Sequence, residues 1–347
     1  MRLLILTQAV DQDDPALAFF HRWLEEFATQ CEKVSVVCLK EGRHALPSNV
    51  SVYSLGKESG ASRLKYLARF FSHIWSLRGE YDAVFVHMNP EYVALGGIPW
   101  RVSGKRIGLW YVHRNVNPWL RIAVLFANVI FTATKESMRV QTSKLKVVGH
   151  GIDIAFFSPR TGPAPEKMSI ISVGRIAPIK NCDVLVEAAA VLRKRGLPVE
   201  VTFVGAPTSD AERTYAGKLH VQVAALGLSG AVHFAGASGY GELPNVYRRA
   251  AATVNLAPTG GSDKVVLESL SCGVPVFVSN RAFESLLGEY TGRFLFRERD
   301  SVDLADKLER FFKDSSMSGI VVLQERVRRG YSLSALIGTI CTGLATH

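Results

Sequence analysis

The sequence predicts an α/β fold built from two doubly wound domains. Short β-branched runs alternate with helix-length amphipathic segments from end to end, the pattern of parallel sheets wrapped by helices. A chain of 347 residues exceeds one comfortable hydrophobic core. Near its middle, a stretch dense in proline and glycine is followed by a fresh strand signal.

In the first half, strands are expected at residues 3–7, 34–39, 50–55, 83–86, 106–111, 129–132 and 145–148. A helix is expected at 16–29, with Leu17, Phe20, Leu24 and Phe27 on one stripe. The three prolines of 158–166 break helix and sheet alike, so this segment is expected to link the domains. Second-half strands are expected at 169–173, 199–204, 231–234, 252–255, 274–278 and 293–296, with helices at 182–195, 209–226, 242–249 and 265–271. Residues 317–344 read as helical throughout. The expected domains are 1–158 and 167–330, with 331–347 a C-terminal helix able to pack back towards the first.

Composition narrows the function classes. With 48% hydrophobic and 21% charged residues the chain is an ordinary globular one, not a disordered one. Its five cysteines are scattered without a CxxC pair, which argues against a disulfide framework or a structural zinc and suits a reducing cytoplasm. A strand begins at once, without a signal peptide, and no apolar run reaches the roughly 20 residues of a spanning helix; residues 122–134 come nearest. A formal charge of +10 asks for an acidic partner, but the cations are spread along the chain and no nucleic-acid motif accompanies them, so nucleic acid is not the expected partner.

Two segments carry chemistry. In Ser172-Val-Gly-Arg-Ile-Ala-Pro-Ile-Lys-Asn181, a strand runs through a glycine loop to a helix N-terminus, where free N–H groups favour an anion and Arg175 and Lys180 would add two charges. On its own the segment reads equally well as a loop with two solvated cations; it lacks GxGxxG, which speaks against a dinucleotide site. In Thr259-Gly-Gly-Ser-Asp-Lys-Val-Val-Leu-Glu268, glycines precede a helix on whose apolar face Glu268 sits. Buried there, a carboxylate needs hydrogen bonds such as ribose hydroxyls give; a half-exposed helical glutamate is the plainer reading.

Together these segments resemble family 4 of the retaining glycosyltransferases. The resemblance lies in Val173-Gly-Arg175 with Lys180, Leu267-Glu-Ser-Leu-Ser-Cys-Gly-Val-Pro-Val276, Val148-Gly-His-Gly-Ile-Asp153 before Phe157-Ser-Pro159, and Phe234-Ala-Gly236 ahead of Glu242-Leu-Pro-Asn-Val-Tyr247. It implies the GT-B fold, two Rossmann-like domains facing across a cleft. It also implies a hexosyl transfer from a nucleoside-diphosphate sugar to a glycan or lipid-linked acceptor, in synthesis of bacterial-type surface glycan or glycolipid. By that resemblance Gly174, Arg175 and Lys180 hold the diphosphate, and Glu268 the ribose. Gly236 and Ala237 meet the base, and the backbone of Gly261, Ser262, Asp263, Lys264 and Val265 approaches the sugar. His113, ending a strand, stands beside the reacting sugar. No metal and no cofactor is implied; Asp11-Gln-Asp13 has metal-motif spacing only.

The family's usual acid eight positions before the helical Glu is here Gly260, with Asp263 as the expected stand-in. A donor-binding subunit without activity, and a nucleotide-sugar 2-epimerase, are the alternatives. Asp11, Asp14 and His21 are candidates for the acceptor side, although turn and helix-cap roles suit the aspartates equally. The segment 62–78 alternates Arg63, Lys65, Arg69 and Arg78 with apolar and aromatic residues. It suits either an anionic membrane surface at the inner face or simple packing on its own sheet.

Overall fold

A computed structural model describes residues 1–345 apart from 15, 114, 163–164, 166–167, 262 and 315–317. The chain forms two compact units, Met1–Gly151 with Leu333–His347, and Ile152–Ser332.

The first unit is a seven-stranded parallel sheet in the order β3-β2-β1-β4-β5-β6-β7. Its strands are β1 (Arg2–Val10), β2 (Lys33–Glu41), β3 (Val50–Ser54), β4 (Ala83–His87), β5 (Arg106–Trp110), β6 (Val129–Thr132) and β7 (Leu145–Val147). Its helices are α1 (Ala18–Gln30), α2 (Arg63–Ser76), α3 (Pro90–Val102) and α4 (Pro118–Phe126). Leu3, Leu4, Ile5 and Leu6 are all fully buried, as a central strand covered on both faces requires. Phe70 and Ile74 of α2, Trp100 of α3 and Leu120 of α4 cover one face. Turn chemistry places these helices: Ser62 Oγ accepts from Lys65 N, and Asn117 Oδ1 accepts from Leu120 N at 2.8 Å just before Pro118.

The second unit holds a five-stranded parallel sheet in the order β10-β9-β8-β11-β12. Its strands are β8 (Ser169–Val173), β9 (Glu200–Val204), β10 (Val232–Phe234), β11 (Ala252–Asn255) and β12 (Val276–Val278). Around it lie α5 (Cys182–Lys194), α6 (Asp210–Ala225), α7 (Leu243–Arg248), α8 (Lys264–Ser271), α9 (Glu284–Leu287), α10 (Thr291–Phe294), α11 (Ser301–Asp314) and α12 (Ser318–Gly330). The last helix, α13 (Leu333–Ala345), belongs to the first unit, where Ile337 and Ile340 join Phe20 and Trp23 of α1 on the second face of the sheet.

Three expectations are corrected. The unit boundary falls at 151–152, ahead of the proline-rich 158–166, because Phe157 is already buried against Tyr247 and Cys272, and Arg248 Nε donates to Ser158 O at 2.9 Å. Residues 293–296 do not form a strand. Thr291 Oγ1 donates to Gly288 O at 2.7 Å, a helical turn follows, and Leu295 alone bridges to Val278. The helical reading of 317–344 breaks at Tyr331–Ser332, where the chain passes from one unit to the other (317 itself lies outside the described residues). Among the described residues, no helix is long and apolar enough to cross a membrane.

Candidate functional site

The sequence-predicted donor residues gather at the C-terminal edge of the five-stranded sheet, on both sides of the point where strand order reverses between β8 and β11. Crevices of this kind are where open α/β sheets bind ligands. Three strand-end loops are stitched together there: Gly174 N donates to Val204 O at 2.9 Å, and Gly205 N to Gly236 O at 2.7 Å. Ala237 follows on the exposed side.

Arg175 leaves the β8 loop with its Nη1 2.5 Å from Glu212 Oε1. The Glu212 carboxylate also accepts from Thr208 N and Oγ1 at 2.6 and 2.7 Å, and these bonds, helped by Arg175, hold it below the ordinary glutamate range. More than half of the Arg175 side chain stays exposed, so its guanidinium is both fixed and available. Lys180 ends the turn Pro178–Lys180 before α5, whose N-cap Asn181 is left-handed and donates from Nδ2 to Leu256 O at 3.0 Å. Lys180 Nζ lies 2.5 Å from Asp263 Oδ2, which also accepts from Asn255 Nδ2 at 3.0 Å. Residues 83 apart in sequence are thus joined across the switch point.

Glu268 is buried on α8 and accepts from the Tyr247 hydroxyl at 2.8 Å. Burial raises its carboxyl, against the pull of Tyr247 and Lys264, and raises the Tyr247 phenol as well. Burial lowers Lys264 to about 7, with Glu268 opposing. Val265, partly buried, packs on the cluster around Phe157. Gly261 O accepts from Asn280 Nδ2 at 2.5 Å; Ser262 lies outside the described residues. Gly260 has φ 131°, a conformation open to glycine and rarely to other residues, so an acid could not stand there without moving the loop.

In the first unit His113 is exposed beyond β5, and its Nδ1 accepts from Asn115 N at 3.0 Å. That bond leaves the proton of the neutral ring on Nε2. Asp14 holds the turn ahead of α1 by accepting from Ala16 N and Leu17 N, and Asp11 accepts from Lys40 at 3.2 Å and from Asp13 N at 3.0 Å. His21 is buried, with Nε2 accepting from Ala45 N at 3.2 Å and Nδ1 facing Glu25 at 3.4 Å. All three therefore serve the local fold. Among the described residues, no three His, Cys, Asp or Glu side chains gather as a metal site.

Sequence reasoning missed Glu212, Asn255 and the role of Tyr247. Ser209-Asp-Ala-Glu212 has capping-box spacing, and Ser209 Oγ does accept from Glu212 N at 3.3 Å. The Glu212 carboxylate, besides reaching the backbone of Ser209 at the cap, also takes Thr208 and Arg175, which the capping-box spacing does not announce.

A sequence model of the glycosyl transferases group 1 matches residues 153–327, half of the chain and nearly all of the second unit. D-inositol 3-phosphate glycosyltransferase of Actinosynnema mirum is 36% identical over 146 residues, covering 39% of this chain and 35% of that protein. The enzyme of that name from Frankia alni is 30% identical over 184 residues, covering 49% and 45%. The chain thus spans between a third and a half of the length of these curated relatives. Among solved structures, Anabaena HepE in complex with UDP-glucose superposes with a TM-score of 0.76 at 19% identity, over 99% of each chain. This is a likeness of fold, and the fold is GT-B.

Proposed function

This chain belongs to the glycosyl transferases group 1, and we propose that it moves a hexose from a nucleoside-diphosphate sugar to a hydroxyl of a glycan or lipid-linked acceptor, with retention. The observation that carries this reading is the placement of Arg175 and Lys180 at the switch-point edge of the second unit, each positioned by a carboxylate. Two fixed cations there stabilise the charge that develops on a departing diphosphate, so no metal is invoked. Glu268 takes the ribose hydroxyls and Gly236–Ala237 the base. Asp263, Lys264 and the glycine-led loop before them line the sugar. His113, with its proton on Nε2, donates to a sugar hydroxyl. The UDP-glucose complex of HepE supports a uridine donor.

Arg175→Ala and Lys180→Ala should each weaken UDP and UDP-glucose binding by roughly 1.5–3 kcal/mol, about 10–150-fold, without lowering the melting temperature by more than a few degrees. Calorimetric titration measures this. Unchanged affinity in both variants removes the diphosphate assignment. Gly260 favours one second reading, a donor-binding subunit that transfers nothing; slow hydrolysis of UDP-glucose by the purified chain would exclude it.

A place at the cytoplasmic face of an anionic membrane suits a lipid-linked acceptor and is supported by α2. Arg63, Lys65, Arg69 and Arg78 are all exposed beside exposed Leu64, Phe71 and Trp75. Vesicles of phosphatidylcholine with phosphatidylglycerol should carry the protein in flotation at low salt and release it as salt rises. Protein that stays behind at low salt would confine the basic surface to phosphorylated ligands.

A further inference from the structure

The helices on the α2–α4 side of the first sheet present apolar surface that the core does not use. On α2, Leu64, Leu67, Phe71 and Trp75 recur at three- and four-residue intervals and form one exposed stripe, while Phe70 and Ile74 face the sheet. Leu64 is 79% and Trp75 62% exposed. Ile98 and Val102 on α3, then Trp119, Ile122 and Leu125 on α4, continue the pattern with helical spacing. An apolar surface of this extent, rimmed by polar residues, marks a contact surface. Its partner is anionic by charge: the three helices carry Arg63, Lys65, Arg69, Arg101 and Arg121 against one acid, Glu91.

Between α2 and α3 this surface opens into a cavity of 370 Å³ walled by Phe71, Ile74, Trp75, Pro99 and Trp100. Its lining is mostly apolar, with Ser72, Arg78, Tyr81 and Ser103 as the polar members. Arg78 also lines the cavity; its guanidinium lies 4.6 Å above the Trp75 ring and Nη1 donates to Trp75 O at 2.8 Å. A fixed, exposed guanidinium beside an apolar slot matches a phosphodiester with an alkyl tail.

We infer that this cavity seats one alkyl chain of an anionic lipid, with Arg78 at the headgroup phosphate and the surrounding α2–α4 face lying on the bilayer. The inference rests on the membrane reading above, and its test separates the two. The probe is dihexanoylphosphatidylglycerol below its micelle concentration, titrated against the full chain with tryptophan fluorescence as readout. Saturable binding is expected. Ser72→Phe and Ser103→Phe, at exposed positions lining the cavity, should each weaken it at least tenfold while leaving the melting temperature and UDP binding unchanged. Arg78→Gln should weaken it severalfold. Absence of saturable binding, or binding untouched by both phenylalanines, overturns the assignment. A dimer in sedimentation that lipid does not dissociate gives the face to a second copy and also overturns it. A chain that binds the short lipid but does not float with anionic vesicles keeps the cavity and loses the bilayer; floating without short-lipid binding has the opposite meaning.

Discussion

Gly205→Ala is expected to lower the melting temperature of the second unit by roughly 6–20 °C and to abolish UDP binding. Gly205 has φ 151°, and a Cβ built on it would overlap the carbonyl of Gly174. That neighbour is backbone, so no side chain can swing aside. Moving it would pull on the Gly174 N–H bond to Val204 O and on Arg175, the next residue. Strained backbone and overpacking together cost roughly 3–5 kcal/mol, and each kcal/mol lowers the midpoint by about 2–4 °C in a unit of this size. Calorimetry and UDP titration test both halves. A variant that melts with the wild type would mean the loops after β8 and β9 are not in close contact. One that melts early yet still binds UDP would separate the loop contact from the site.

The same loops show what the sequence made legible. Strand β8, the glycine turn and α5 were readable because a short β-branched run, a backbone break and a 3.6-residue stripe follow one another locally. Long-range pairings were not. Lys180 was read as a diphosphate cation and Asp263 as a sugar contact, and nothing in a one-dimensional pattern says that they meet. Glu212 hid inside capping-box spacing, since its local role and its pairing with Arg175 use the same residue. The unit boundary was misplaced because prolines mark where helix and strand stop, whereas a unit begins where side chains become buried, here before Phe157. A C-terminal helix able to pack back on the first unit was legible, and α13 does so because its apolar stripe covers that sheet.

Glu268→Gln is expected to separate stability from function. The folded carboxyl titrates above the ordinary glutamate value of 4.5 because burial costs the charge more than Tyr247 and Lys264 return. Below 4.5 both folded and unfolded chains carry the proton, and the folding equilibrium does not depend on pH through this group. As pH rises towards the raised folded value, the unfolded chain ionises first, so stability contributed by the protonated state is lost through that window. Glutamine retains an acceptor for the Tyr247 hydroxyl and never ionises. Lys264, already lowered to about 7, can give up its proton when its partner goes. The variant should therefore match the wild type in melting temperature at acid pH and exceed it increasingly as pH rises to neutrality. Its kcat/KM for the donor should nevertheless fall more than a hundredfold, since two charge-assisted bonds to ribose hydroxyls are worth roughly 1.5–3 kcal/mol each. Melting curves across pH, paired with donor kinetics, make the measurement. A gap that does not widen with pH would mean that Tyr247 and Lys264 fully offset the buried charge. Unchanged kinetics would remove Glu268 from the ribose.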